Sequence, residues 1–147
     1  MLKKILVPVD GSQHAMKAMR LACDLAEKYE AKLEIITVSQ KDMSKEYKRF
    51  IEVEYLEKER AKIYKILGDL GNKIFKELLA EVQPTIKVSS AVLFGDPASS
   101  IVEYALLNNF DTIVMGSRGM SDIKGLLLGS VSHKVSSLFD GTCVTIK

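Results

Sequence analysis

Met115-Gly116-Ser117-Arg118-Gly119, followed by Gly129-Ser130-Val131, sets three glycines and a serine at the spacing G-x2-G-x9-G-S, directly behind the apolar run Thr112-Ile113-Val114-Met115. A strand that ends in closely spaced glycines ahead of a helix is a chemical setting for phosphate. Glycine lets the backbone turn with φ > 0 and come near a ligand that a Cβ would block. The first N–H groups of a helix then offer unpaired donors and a partial positive charge. The loop is not the familiar P-loop, because Lys124 precedes Gly125 with no Ser or Thr behind it, and no G-x-G-x-x-G opens the first helix. Phosphate would therefore be held by backbone amides, the Ser130 hydroxyl and the helix start at Ser130–Val131, with Arg118 and Lys124 placed to assist.

Asp10, in Val9-Asp10-Gly11-Ser12, is the one carboxylate at a predicted strand end. It would serve a ribose hydroxyl or sit near a metal, unless it caps the first helix, a task open to Ser12 as well. Signs of an enzyme are thin. His14 and His133 show no metal-ligand spacing, Ser130 has no evident base, and G-x-S-x-G is absent. Neither a catalytic group nor a metal site is assigned. Cys23 and Cys143 stand far apart and read as small core residues in a reducing compartment.

The elements that must hold these residues alternate. Lys4–Val9 is a β-branched run stopped by Asp10-Gly11-Ser12, and it suits the buried middle of a parallel sheet. Ser12 is the expected N-cap of a helix carrying Ala15, Met16, Met19, Ala22, Cys23 and Ala26 at spacings of three and four. Lys32–Val38 reads as the second strand and Thr85–Val92 as the third. Asp96-Pro97 is a cap and first-residue pair for a helix over Ala98–Asn108. Thr112–Met115 is the fourth strand, Ser130 caps the last helix, and Cys143–Ile146 closes the chain as a fifth strand. Between strands two and three, a charge-rich segment keeps an apolar stripe that predicts a long solvent-facing helix from about Val53 to Ala80. Its lead-in carries Tyr47, Phe50 and Tyr55, a candidate flap over a ligand.

Strands alternating with helices, without hairpin signals, predict an α/β fold: one domain over residues 1–147 with a doubly wound parallel sheet. In such sheets ligands bind at the carboxyl ends of strands where the strand order reverses. The ends at Val9-Asp10, Val38 and Met115-Gly116 are expected to converge there. With 147 residues, 21 basic against 19 acidic side chains and a net charge of +2, nothing marks a nucleic-acid scaffold or a membrane anchor. No apolar run is long enough to span a bilayer. A cytoplasmic protein is the expectation.

Taken together, Ile5-Leu6-Val7-Pro8-Val9-Asp10-Gly11-Ser12, the strand end at Val38, Phe94-Gly95-Asp96-Pro97 and Gly116-x2-Gly119-x9-Gly129-Ser130 resemble the universal stress protein (UspA-like) family over essentially the whole chain. Within that family the complete glycine set goes with the ATP-binding branch. The resemblance implies a five-stranded parallel sheet flanked by helices, of the adenine nucleotide alpha hydrolase-like kind, with ATP at the strand ends. Its adenine and ribose contacts carry over to Pro8, Val9, Asp10, Val38, Met115 and Gly116. Its phosphate contacts carry over to Gly119, Gly129, Ser130 and Val131. It further implies a homodimer through the last strand, although Cys143 stands where the family usually has a proline. The function expected is a nucleotide-dependent regulatory module in stress response that signals to a protein partner. The alternatives are a slow Mg²⁺-dependent ATPase and a nucleotide-free interaction domain.

Overall fold

The computed structural model describes residues 2–39, 88–119 and 128–147. In chain order these form β1 (Lys4–Pro8), α1 (Gln13–Tyr29), β2 (Lys32–Ser39), β3 (Val88–Phe94), α2 (Pro97–Leu107), β4 (Thr112–Gly116), α3 (Ser130–Leu138) and β5 (Thr142–Ile146). The strands make one sheet in the order β3-β2-β1-β4-β5, with every neighbouring pair parallel. The expected long helix over about 53–80, the candidate flap with Tyr47, Phe50 and Tyr55, and Lys124 all lie outside the described residues.

The apolar runs are continuous because the sheet is covered on both faces, so that successive side chains of one strand enter different cores. Ile5, Val7, Leu33, Ile35 and Val114 meet Ala15, Ala18, Met19, Ala22 and Ala26 of α1. Leu6, Ile36, Ile113 and Met115 point the other way, to Ala98, Ile101, Val102 and Ala105 of α2 and Val135 of α3. Four alanines on the buried stripe of α1 let its backbone lie close to the sheet. That closeness matters for the site below.

Several element ends shift by one residue from expectation, β3 ends two residues later, and the cap of the last helix moves. β3 runs on to Phe94, because its ladder with β2 continues to the pair Ser39↔Phe94; the turn comes one residue later, at Gly95 with φ 129°. α3 begins at Ser130, so Ser130 is its first helical residue and not its cap. Gly129 is the cap: it is extended at φ −73°, ψ 164°, and its carbonyl accepts from His133 N–H at 3.0 Å.

Cys23 and Cys143 are free, half-buried thiols packed against opposite faces of the sheet. Burial, with the charge of Asp24 second, pushes the Cys23 thiol up to about 11, and burial alone raises Cys143. Both stay protonated at neutral pH. The native protein should therefore alkylate slowly with iodoacetamide at both thiols, Cys23 about tenfold or more below its rate in urea, where the thiols return to ordinary acidity. Equal rates in the two conditions would show that the thiols are not held in the core.

Candidate functional site

The strand order places the reversal between β1 and β4. From β1 the chain moves outward through β2 to β3, then crosses back to β4 and β5. A crevice of about 330 Å³ opens at the carboxyl ends of β1, β2 and β4, within the range of small-molecule sites. Pro8, Val9, Asp10, Val38, Met115, Gly116, Gly119, Ser130 and Val131 all line it. Those residues, expected to form one site, are brought together. Gly129 is the exception: it lies buried behind the crevice, and its N–H donates to the Ser117 carbonyl at 2.6 Å.

The base of the crevice is set by unequal strand lengths. β1 has five residues and β2 eight, and their register ends at Pro8↔Ile36. One further bond follows, Val9 N–H to the Ile36 carbonyl at 2.8 Å. In a parallel ladder the backbone groups of residue i+2 face the same neighbour as those of residue i. Val38 thus turns its N–H and C=O toward the space that β1 has left. Among the described residues the next rung, from Val38 N–H to the Val9 carbonyl, is not made. An unpaired strand edge, with Pro8, Ile101 and Met115 nearby, offers a donor and an acceptor beside apolar walls.

The helix starts give the crevice a partial positive charge. In a parallel α/β fold the helix N-termini gather at the carboxyl ends of the strands, and residues from the first turns of all three helices line this crevice. Two of those starts are occupied. Ser12 Oγ accepts from Ala15 N–H at 3.1 Å and caps α1. Asp96 caps α2: the Ser99 N–H and hydroxyl donate to its Oδ2 at 3.1 and 3.0 Å and hold its carboxyl below the usual carboxylate range. This cap supports α2 above the unfolded carboxylate range and is lost only as pH falls through the lowered value. α3 alone among the described helices starts with no side-chain cap. No bond among the described residues engages the Ser130 or Val131 amides.

What anchors α3 is the end of β4. The Ser117 carbonyl accepts from Gly129 N–H and, at 2.8 Å, from the buried Ser132 hydroxyl, while Ser117 N–H donates to Ile146 C=O at 2.7 Å. The helix start is fixed from behind and open in front. Asp10 has a turn to hold: its Oδ1 accepts from Ser12 N–H at 2.9 Å across Gly11, whose φ is 86°. Capping of α1 thus falls to Ser12, leaving Asp10 at the crevice rim.

Gly116 answers to packing before any ligand. A Cβ there would stand 2.8 Å from both Ala15 N and His14 Cβ, so the glycine admits the first turn of α1. The expectation that the loop glycines serve φ > 0 also fails at Gly129, whose φ is negative. Pro97, Ile101, Ala15 and Ser132 line the crevice without having been anticipated. The signal was present in the helix starts, since each follows a strand end on the same side of the sheet.

A model of the Universal stress protein family matches residues 1–147. The chain belongs to the universal stress protein family. Universal stress protein YxiE of Bacillus subtilis is 33% identical over 150 aligned positions, covering 97% of this chain and 96% of that protein. The solved universal stress protein UspA from Lactobacillus plantarum superimposes with a TM-score of 0.76 at 22% identity, over 99% of this chain and 98% of that one, which speaks to the fold. A universal stress protein solved in complex with cAMP superimposes with a TM-score of 0.72 at 28% identity, over 99% and 97% of the two chains. The fold is thus the adenine nucleotide alpha hydrolase-like one of UspA-like proteins.

Proposed function

We propose that the protein is an adenine-nucleotide-binding regulatory module of stress response, with ATP as its ligand. The observation that carries this reading is a single crevice with an unpaired Val9–Val38 strand edge at one end and the uncapped start of α3 at the other. Adenine carries an N6–H donor next to the N1 acceptor, which complements the C=O and N–H of one strand residue such as Val38. Guanine reverses that order with its O6 acceptor and N1–H donor. Asp10 would take a ribose hydroxyl, and the Ser130 and Val131 amides with the Ser130 hydroxyl would take phosphate. Gly119 lets the loop approach that phosphate, and Gly129 contributes by leaving the helix start uncapped. The relative solved with cAMP supports adenine nucleotides as the ligand class.

ATP supplies a bound state to be sensed, and this chain's residues orient it. On this reading the protein works in the cytoplasm, pairs with a second copy along the outer edge of β5, and passes its nucleotide state to a protein partner. A thermal unfolding scan of nucleotide-stripped protein tests the site. MgATP at about 100 times its Kd should stabilise by roughly 2.7 kcal/mol, a shift of several degrees for a domain near this size, while MgGTP should do far less. Equal shifts would remove the adenine preference, and no shift with ATP would remove the nucleotide reading.

A further inference from the structure

Arg118 is the cationic side chain among the described residues that line the crevice. It sits in the loop behind β4, between Gly116 and Gly119, and its main chain is tied to the start of α1 by a long Ser12 Oγ–H to Arg118 carbonyl bond of 3.4 Å. Its Nε is buried and has no hydrogen-bond partner. No carboxylate among the described residues pairs with it, and Asp10 across the crevice already accepts from Ser12 N–H. A guanidinium keeps its charge at every working pH and presents a planar fork of donors. Burying one of those donors without an acceptor destabilises the ligand-free protein. Such a group is matched by a second anionic oxygen set, beyond the one that the α3 amides serve.

We propose that Arg118 makes the crevice select ligands with two or more phosphates over monophosphates and uncharged nucleosides. This inference rests on the adenine-nucleotide reading above. A monophosphate engages the helix start alone, whereas a polyphosphate reaches both the helix start and the guanidinium. Charge-assisted hydrogen bonds of this kind carry roughly ten- to a hundredfold in affinity.

The test is calorimetric titration of the full chain and its Arg118→Gln and Arg118→Lys variants with ATP, ADP, AMP and adenosine. Arg118→Gln should weaken ATP and ADP by about ten- to a hundredfold while AMP and adenosine stay within about twofold. Arg118→Lys should recover part of the loss, since it restores the charge without the fork. The ligand-free unfolding midpoint of Arg118→Gln should hold or rise, because a buried Nε donor without an acceptor has been removed. Equal losses for all four ligands would place Arg118 at the base or in the scaffold and overturn the inference. Unchanged ATP affinity would overturn it as well. Failure of the wild-type chain to bind ATP would instead take down the underlying reading, and this inference with it.

Discussion

Gly116→Ala should cost about 2–3 kcal/mol of stability, a fall of roughly 6–10 °C in the unfolding midpoint, with ATP affinity falling alongside. The new methyl would stand 2.8 Å from Ala15 N and 2.9 Å from the His14 carbonyl carbon. These are backbone atoms in the first turn of a helix, which no rotamer change can move aside. Relief requires α1 to lift from the end of β4, and α1 brings Ala15, Ala18, Met19, Ala22 and Ala26 into the core. The helix cannot lift without opening the packing that its alanines were small enough to allow. The same shift would displace Ser12, whose hydroxyl caps α1 and reaches the Arg118 carbonyl, so the crevice would lose its shape at the loop. Urea unfolding of the ligand-free variant is the decisive measurement. Wild-type stability with lost ATP binding would mean that Gly116 serves the ligand and not the helix.

That distinction was hidden in the sequence. G-x2-G-x9-G-S reads as a loop built around a ligand, yet spacing says nothing about which side of a glycine is crowded. Gly116 is crowded by α1, and Gly129 has an ordinary negative φ with its amide spent on Ser117. The fold itself was legible because burial on both faces writes a strand as an unbroken apolar run, as in Ile5-Leu6-Val7, and because Ser12 and Asp96-Pro97 mark helix starts by their own chemistry. The crevice was legible for the same reason: parallel strands separated by helices have one end where helix N-termini collect. Register was not legible. The rung missing between Val9 and Val38 depends on β2 outrunning β1, and neither strand's composition states where pairing stops. The cap of α3 was misread by one residue because serine is a far commoner cap than glycine, whose lack of a side chain is what leaves the helix start open. Nor could the sequence show that the Nε of a half-buried Arg118 is shut away without a partner, since a basic residue in a glycine loop is ordinarily solvated.

The open start of α3 leads to an expected result in which stability and binding move in opposite directions. Ser130→Asp should leave the ligand-free protein as stable as before or slightly more so, by about 0.3–1 kcal/mol, while ATP affinity falls by about a hundredfold or more. Ser130 is exposed and is the first residue of α3, a helix with no acidic residue in its first turn. A carboxylate there faces the positive end of the helix dipole, which favours it. The same carboxylate would stand where phosphate is proposed to sit, and two unit charges about 4 Å apart repel by about 4 kcal/mol at the effective dielectric of a protein surface. A side chain that supplies the missing anion thus competes with the ligand for the same amides. Ser130→Asn separates the two effects, because it keeps size and polarity without the charge and should retain most of the affinity. Thermal scans of the three proteins with and without MgATP read both quantities in one experiment. A Ser130→Asp protein that still gains several degrees from MgATP would place the phosphate elsewhere, whereas one that is destabilised on its own would show that α3 is not open at its start.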